Sequence, residues 1–286
     1  MSIRASSLGY SGVARLWTYP ARRALWPRGR TLHIWQIGFA GGFRPIGPIE
    51  NTGPETVLFE RSATRRLLAW VLRAYGLGNG PLLLAPGRGK PRLAHAPQGR
   101  DFSFSVSRAD SRAVVAIAPG GAVGVDIERV GTIKCAAANV DQRRSAHAIK
   151  NKNLELEPEA SRQQQVLQQM QPVIDHFFSP AEQRDWHRKD PAEQLTAFYR
   201  CWTAKEALSK ATGDGLLADF PSLCVQYWGS GRIRLRHGSP RYSPARWSLR
   251  TFETPCGMVG SVAWDRPIEN IAYWSLPIPK GEAIAH

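Results

Sequence analysis

Val123-Gly124-Val125-Asp126-Ile127-Glu128 carries β-branched residues in strict alternation and reads as a buried strand. Successive side chains on a strand point to opposite faces. Asp126 and Glu128 therefore share a side with Gly124, which adds no bulk, while Val125 and Ile127 fill the other. Two close carboxylates on a buried strand demand a cation. Hard oxygen donors with no accompanying His or Cys favour magnesium, which takes a few carboxylates and completes its shell with water and phosphate oxygens. An ordinary strand end with two solvated acids has the same pattern, and the pair alone does not separate the two readings.

Trp202-Thr203-Ala204-Lys205-Glu206-Ala207-Leu208-Ser209-Lys210 supplies a third acid. In a predicted helix from about Ala192 to Thr212, Leu195, Tyr199, Trp202, Glu206 and Lys210 recur at helical spacing and stack along one face. Glu206 points where apolar residues point and is the natural third ligand beside Asp126 and Glu128. Taken alone, Glu206 and Lys210 at i,i+4 also match an exposed helical ion pair. Gly213-Asp214-Gly215-Leu216 closes the helix.

Strand, helix and turn, in this order, resemble the 4′-phosphopantetheinyl transferase superfamily, in its surfactin-synthetase-activating branch. That family shows a Gly-Val-Asp-Ile-Glu strand, a Trp-x-x-Lys-Glu-Ala-x-x-Lys helix and a Gly-x-Gly-Leu turn. Upstream, Gly89-Lys90-Pro91 and Phe104-Ser105-Val106-Ser107 look like the family's Gly-Lys-Pro turn and Phe-Asn-x-Ser segment, so the resemblance runs from about Leu32 to Trp274. It implies transfer of the phosphopantetheine arm of coenzyme A to a serine of an acyl, peptidyl or aryl carrier protein. In that scheme Asp126, Glu128 and Glu206 hold Mg2+, Lys210 stabilises or protonates the leaving phosphate, and Lys205 contacts phosphate. Lys90, Arg108 and Arg65 bind the nucleotide phosphates, and Trp202 packs to fix the helix. The base that takes the serine proton is left open between Glu206 and a water molecule. Carrier proteins of this kind are acidic, and the family's larger members work as monomers.

The chain departs from the pattern in four places. Arg108 stands where the family has a phosphate-holding His; its planar fork binds phosphate too, with a different geometry and pH dependence. Ser105 replaces Asn. Asp214 stands where Lys is frequent and puts a negative charge near the anionic donor, from which weaker donor binding is expected. Residues 131–173, with seven Gln, replace a much shorter connection and read as an insertion, either helical or a surface loop.

Around these motifs the chain reads as α+β, two pseudo-symmetric halves, each a small antiparallel sheet packed on a long helix. Residues 1–30 form a basic leader with six arginines and no acid, compatible with an organelle transit peptide or an over-long start. An N-terminal half (31–122) and a C-terminal half (123–286) follow. In the first, Thr31 to Phe39 reads as a strand, and Ser62 to Tyr75 as a helix with Leu67, Leu68, Val71 and Leu72 on its buried side. Short strands are expected at Pro81–Ala85, Phe102–Val106 and Ala113–Ala118, and four more near 222–228, 232–236, 246–252 and 257–264.

Net charge +15 suits an anionic partner without choosing among nucleic acid, coenzyme A and an acidic protein. The alternating Arg232-Ile233-Arg234-Leu235-Arg236 suggests a nucleic-acid binder, but no recognised motif accompanies it; a coenzyme A-binding homologue without activity is the third reading. Cys135, Cys201, Cys224 and Cys256 lack Cys-x-x-Cys spacing, which suggests a reducing compartment and no structural zinc. Cys201 reads as a small buried residue, and His176 as a packed or surface histidine. No run approaches the ~20 apolar residues of a membrane span, and a cytoplasmic location is expected.

Overall fold

Arg112–Ala118 shows why two sheets stack in this chain. After its first residue every side chain is buried, on both faces, as happens in a strand whose sheet is covered on both sides. The computed structural model describes residues 27–38, 68, 71, 72, 75, 82, 83, 92, 93, 103–109, 112–130, 159–215, 219–228, 232–237, 242–255 and 257–276. In chain order the strands are β1 (Thr31–Gly38), β2 (Leu82–Leu83), β3 (Arg92–Leu93), β4 (Ser103–Ala109), β5 (Arg112–Ala118) and β6 (Val123–Arg129). Helices α1 (Glu159–Phe177), α2 (Pro180–His187) and α3 (Pro191–Thr212) follow. A 3-10 turn at Phe220–Ser222 leads to β7 (Cys224–Trp228), β8 (Arg232–His237), β9 (Ser248–Glu253), β10 (Met258–Trp264) and β11 (Asn270–Leu276). The fold is mixed α+β, as the sequence predicts.

One sheet has the order β11-β1-β5-β4 and the other β6-β10-β9-β8-β7, with β2 and β3 forming a separate two-stranded ladder. The second sheet is antiparallel throughout. In the first, β11 runs parallel to β1, from Thr31 opposite Asn270 to Ile37 opposite Leu276, where the sequence predicts an all-antiparallel sheet. Strands β5 and β6, on either side of residues 122 and 123, lie in different sheets, while β1 and β11, from opposite ends of the described chain, share one.

The sheets pack face to face. Leu32, Ile34, Val114 and Ala116 of the first meet Val125, Ile127, Phe252, Val262 and Trp264 of the second. On the outer side of the first sheet, Trp35, Phe104, Val115 and Ile117 are covered by Leu68, Val71, Leu72 and Tyr75. Residues 68, 71 and 72 are helical, within the helix expected at Ser62–Tyr75; Leu67 lies outside the described residues. The outer side of the second sheet carries the three helices over Val225, Ile233, Leu235, Leu249, Val259 and Ala263. Helix α1 begins inside the 131–173 stretch and buries Met170, Val173 and Ile174 in this core, so that part of the stretch is packed helix. No helix among the described residues is long and apolar enough to cross a membrane.

Helix α3 is capped at both ends. Asp190 accepts from the Ala192 amide at 3.0 Å with Pro191 in the first turn, and Gly213, at φ 82°, ends the helix in the left-handed conformation that glycine adopts without strain. Its buried residues run round the whole circumference, from Phe198 and Trp202 to Lys205 and Ala211, because it is enclosed between the sheet and its sister helices. It also lies very close to β6. A Cβ on Gly124 would stand 1.9 Å from the Ala207 carbonyl oxygen and 2.4 Å from the Ala211 amide nitrogen. These neighbours are backbone, so no side-chain rotation relieves the clash. Gly124→Ala is expected to lift α3 from the strand and cost about 1–3 kcal/mol, the usual range for overpacking, measured as a lower urea midpoint at unchanged m-value.

Candidate functional site

The gap that Gly124 keeps narrow brings the second half of α3 against β6, and Asp126 faces it. Lys210 Nζ stands 2.6 Å from Asp126 Oδ1 and donates to Ser107 Oγ at 2.9 Å. Ser107 in turn donates to Asp126 Oδ1 at 2.8 Å. A strand of each sheet and one helix thus meet: β6 gives the acid, α3 the amine and β4 the hydroxyl. Ser105, two residues earlier on the same face of β4, accepts from the Val125 amide at 3.1 Å and fastens β4 to β6 at the seam. Across β6, Ser261 of β10 sits opposite Asp126 in the register and shares a 2.8 Å hydrogen bond with Thr203, a second tie between α3 and the sheet.

Glu206 joins the group through charge. Burial and the Asp126 carboxylate push its carboxyl up to about 7, with Lys210 working the other way. Burial would lower the Lys210 ammonium, but Asp126, Glu206 and, last, Glu128 outweigh it and hold the amine above its ordinary value. The Lys210 side chain is 32% exposed, so the ammonium stands at the boundary between the acids and solvent.

Asp126 Oδ2 and Glu206 Oε1 are both buried with no hydrogen-bond partner among the described residues. Buried oxygens left without donors are costly, and two of them on neighbouring carboxylates suit a hard cation. Among the described residues no group of three His, Cys, Asp or Glu side chains is placed to hold a metal ion. Asp126 and Glu206 act on each other through charge, and Glu128 acts on Lys210 beside them. Two carboxylates still fit magnesium, which commonly uses one or two and takes its other ligands from water and phosphate.

Lys205 does not face this site. It is fully buried, donates to the carbonyls of Phe177, Phe220 and Leu223 at 2.9, 2.8 and 2.8 Å, and pairs with Glu182 at 2.7 Å. Glu182 also accepts from the Ser179 and Val225 amides, both at 2.7 Å. The lysine expected to touch phosphate instead ties α3 to the ends of α1, α2 and β7. One step along a helix turns the side chain by about 100°, which sends Lys205 inward where Glu206 faces β6. Arg108 follows Ser107 on β4 and alternates to the face of Phe104 and Val106, away from Asp126. Arg65 and Lys90 lie outside the described residues.

The other expectations resolve simply. Trp202 is buried, parallel to Phe198 and edge-on to Phe177. Cys201 is buried, and that burial, followed by the Glu182 charge, pushes its thiol up, which keeps it unreactive. His176 is exposed at the end of α1. Asp214 accepts a hydrogen bond from the Tyr242 hydroxyl, so its charge is held by a neighbour. Arg234 and Arg236 are exposed while Ile233 and Leu235 are buried, the alternation of a solvated strand face. A cavity of about 490 Å³ in the mouth of the β8–β9 hairpin, between Arg234, Arg236, Trp247 and Arg250, is separate from the Asp126 group. Ser107 is the site residue that sequence reasoning did not single out. Its signals were its place in the segment that resembles the family's Phe-Asn-x-Ser and the alternation that puts two hydroxyls of Phe104-Ser105-Val106-Ser107 on one face.

Two outcomes test these assignments. Lys205→Met leaves Glu182 buried without its cation and is expected to cost about 3–5 kcal/mol, read by chemical unfolding. In metal-free protein, Glu206 has a folded-state pKa near 7 against an ordinary 4.5. The folded state therefore binds a proton that the unfolded chain releases, and this stabilisation is lost as pH rises from about 4.5 to about 7. With a chelator present, the melting temperature should fall across that window in the wild type and fall less in Glu206→Gln.

A model of the 4′-phosphopantetheinyl transferase superfamily matches residues 154–259. That span holds all of α3, with Lys205, Glu206 and Lys210, and leaves out β4 and β6. A 4′-phosphopantetheinyl transferase of Bacillus subtilis is 33% identical over 63 residues, which is 22% of this chain and 28% of that protein's length. In its α3 region the chain is thus similar to that superfamily.

Proposed function

We propose that this protein transfers the 4′-phosphopantetheine group of coenzyme A to a serine of an acyl or peptidyl carrier protein, converting the apo carrier to the holo form. The observation that carries this reading is the pair of partnerless buried oxygens, Asp126 Oδ2 and Glu206 Oε1, beside the half-exposed Lys210 ammonium. It lies partly within the segment that matches the superfamily.

Asp126 and Glu206 would hold Mg2+, with Glu128 close enough in charge to act on Lys210. The bound metal would neutralise negative charge on the pyrophosphate as the leaving group departs. Lys210, anchored by Asp126 and Ser107, presents a fixed positive charge to the leaving phosphate and can donate a proton to it. Without the metal, burial and Asp126 hold Glu206 near 7, and Glu206 and a water molecule are the two candidates to accept the serine proton. A Glu206 that gives its charge to a cation is a weaker base, so the two roles compete. Arg65 and Lys90 keep the donor-phosphate role that the motif resemblance gives them. The same resemblance supports a surfactin-synthetase-activating type of enzyme that acts as a monomer on acidic carriers, and the scattered cysteines suit a cytoplasmic location.

Intact-protein mass spectrometry of apo carrier proteins with coenzyme A and magnesium tests this reading: a holo carrier gains roughly 340 Da as a covalent modification, and a chelator abolishes the gain. Asp126→Ala and Glu206→Ala should each lower turnover by roughly 10²–10³-fold, the scale of removing one preorganised electrostatic group, with the far-UV circular dichroism unchanged. Coenzyme A binding without a mass gain on any carrier points to a homologue without activity. Steeply salt-dependent DNA binding with no coenzyme A affinity points to a nucleic-acid binder.

A further inference from the structure

We infer that Ser107 is a positioning residue: its hydroxyl fixes Asp126 and Lys210 relative to each other, so that Asp126 keeps its Oδ2 oxygen for a divalent cation. The hydroxyl donates to Asp126 Oδ1 at 2.8 Å and accepts from Lys210 Nζ at 2.9 Å, while Lys210 reaches the same Oδ1 at 2.6 Å. The three groups close a triangle on one carboxylate oxygen, and the other oxygen is left buried with no hydrogen-bond partner among the described residues. A carboxylate with one oxygen doubly engaged cannot rotate without breaking two charge-assisted hydrogen bonds. Outer hydrogen bonds of this kind orient the ligands of metal sites.

The position of Ser107 gives this a second consequence. It comes from β4, in the other sheet from Asp126 and separate from α3. The acid on β6 and the amine on α3 are therefore oriented by a residue of the other sheet. Ser105 makes an independent seam contact, to the Val125 amide, and touches neither Asp126 nor Lys210. It provides the internal control, because its loss weakens the seam without altering the triangle.

The inference rests on the proposed transferase only for its kinetic arm. Ser107→Ala, Ser107→Thr and Ser105→Ala are compared by Mn2+ titration followed by electron paramagnetic resonance, by thermal unfolding, and by kcat and KM for coenzyme A. Ser107→Ala is expected to weaken Mn2+ binding and lower kcat by roughly 10–100-fold, the usual effect of removing such an orienting partner, with KM for coenzyme A within about twofold. Ser107→Thr keeps the hydroxyl and restores both; Ser105→Ala lowers the melting temperature but changes neither by more than about twofold. Ser107→Ala behaving like Ser105→Ala, losing stability alone, overturns the inference. A raised KM with unchanged kcat and Mn2+ affinity also overturns it, making Ser107 a donor-binding residue. An inactive wild type refutes the transferase reading, while Mn2+ affinity and unfolding still decide the role of Ser107.

Discussion

The distance between α3 and β6 governs the rest of this molecule. A strand residue with any side chain at position 124 would hold the helix off; glycine lets the backbones of Ala207 and Ala211 come to van der Waals range. At that range an acid on the strand and an amine on the helix meet directly, without a water layer between them. The close approach also excludes solvent from one side of the group, which is what raises Glu206 and makes the partnerless oxygens costly. The packing that stabilises the domain and the electrostatics that equip the site are consequences of one missing Cβ.

Two lysines on one helix show how burial assigns different work to similar side chains. Lys210 reaches the margin of the protein, and its charge faces two acids and solvent. Lys205, five residues earlier, is surrounded by three main-chain carbonyls and one carboxylate. Those carbonyls end α1 and flank the 3-10 turn, places where helix termini leave acceptors without intrahelical donors. A single ammonium satisfies several of them and holds the Glu182 carboxylate, which itself caps α2.

What the sequence made legible was local in origin. The alternation of 123–128 and the 3.6-residue period from Leu195 to Lys210 depend only on neighbouring residues, and β6 and α3 form where those patterns place them. The inward direction of Lys205 depends on which helices enclose α3, and its residue type argued for solvent. Ser107 reaches Asp126 across the seam between two sheets, a contact that no periodicity along either strand encodes. The spacing of Asp126 and Glu128 fixes a shared face, but the approach of Glu206 to Asp126 depends on where the helix crosses the strand, which that spacing does not encode. Strand β11 escaped notice because its partner is β1, and pairing between remote strands leaves no trace in local composition.

That pairing has a consequence for how the chain reaches its folded form. Residues 31–37 find their parallel partner only in 270–276, and Arg30 is joined to Glu269 at 2.7 Å. During synthesis β1 can form its antiparallel ladder with β5 once residue 118 has emerged, yet one edge of that strand stays open until nearly the whole described chain has been made. An open strand edge is a template for wrong partners, and contacts of such wide sequence separation form slowly. Until β11 closes it, that edge is where the first sheet is most open to wrong pairing.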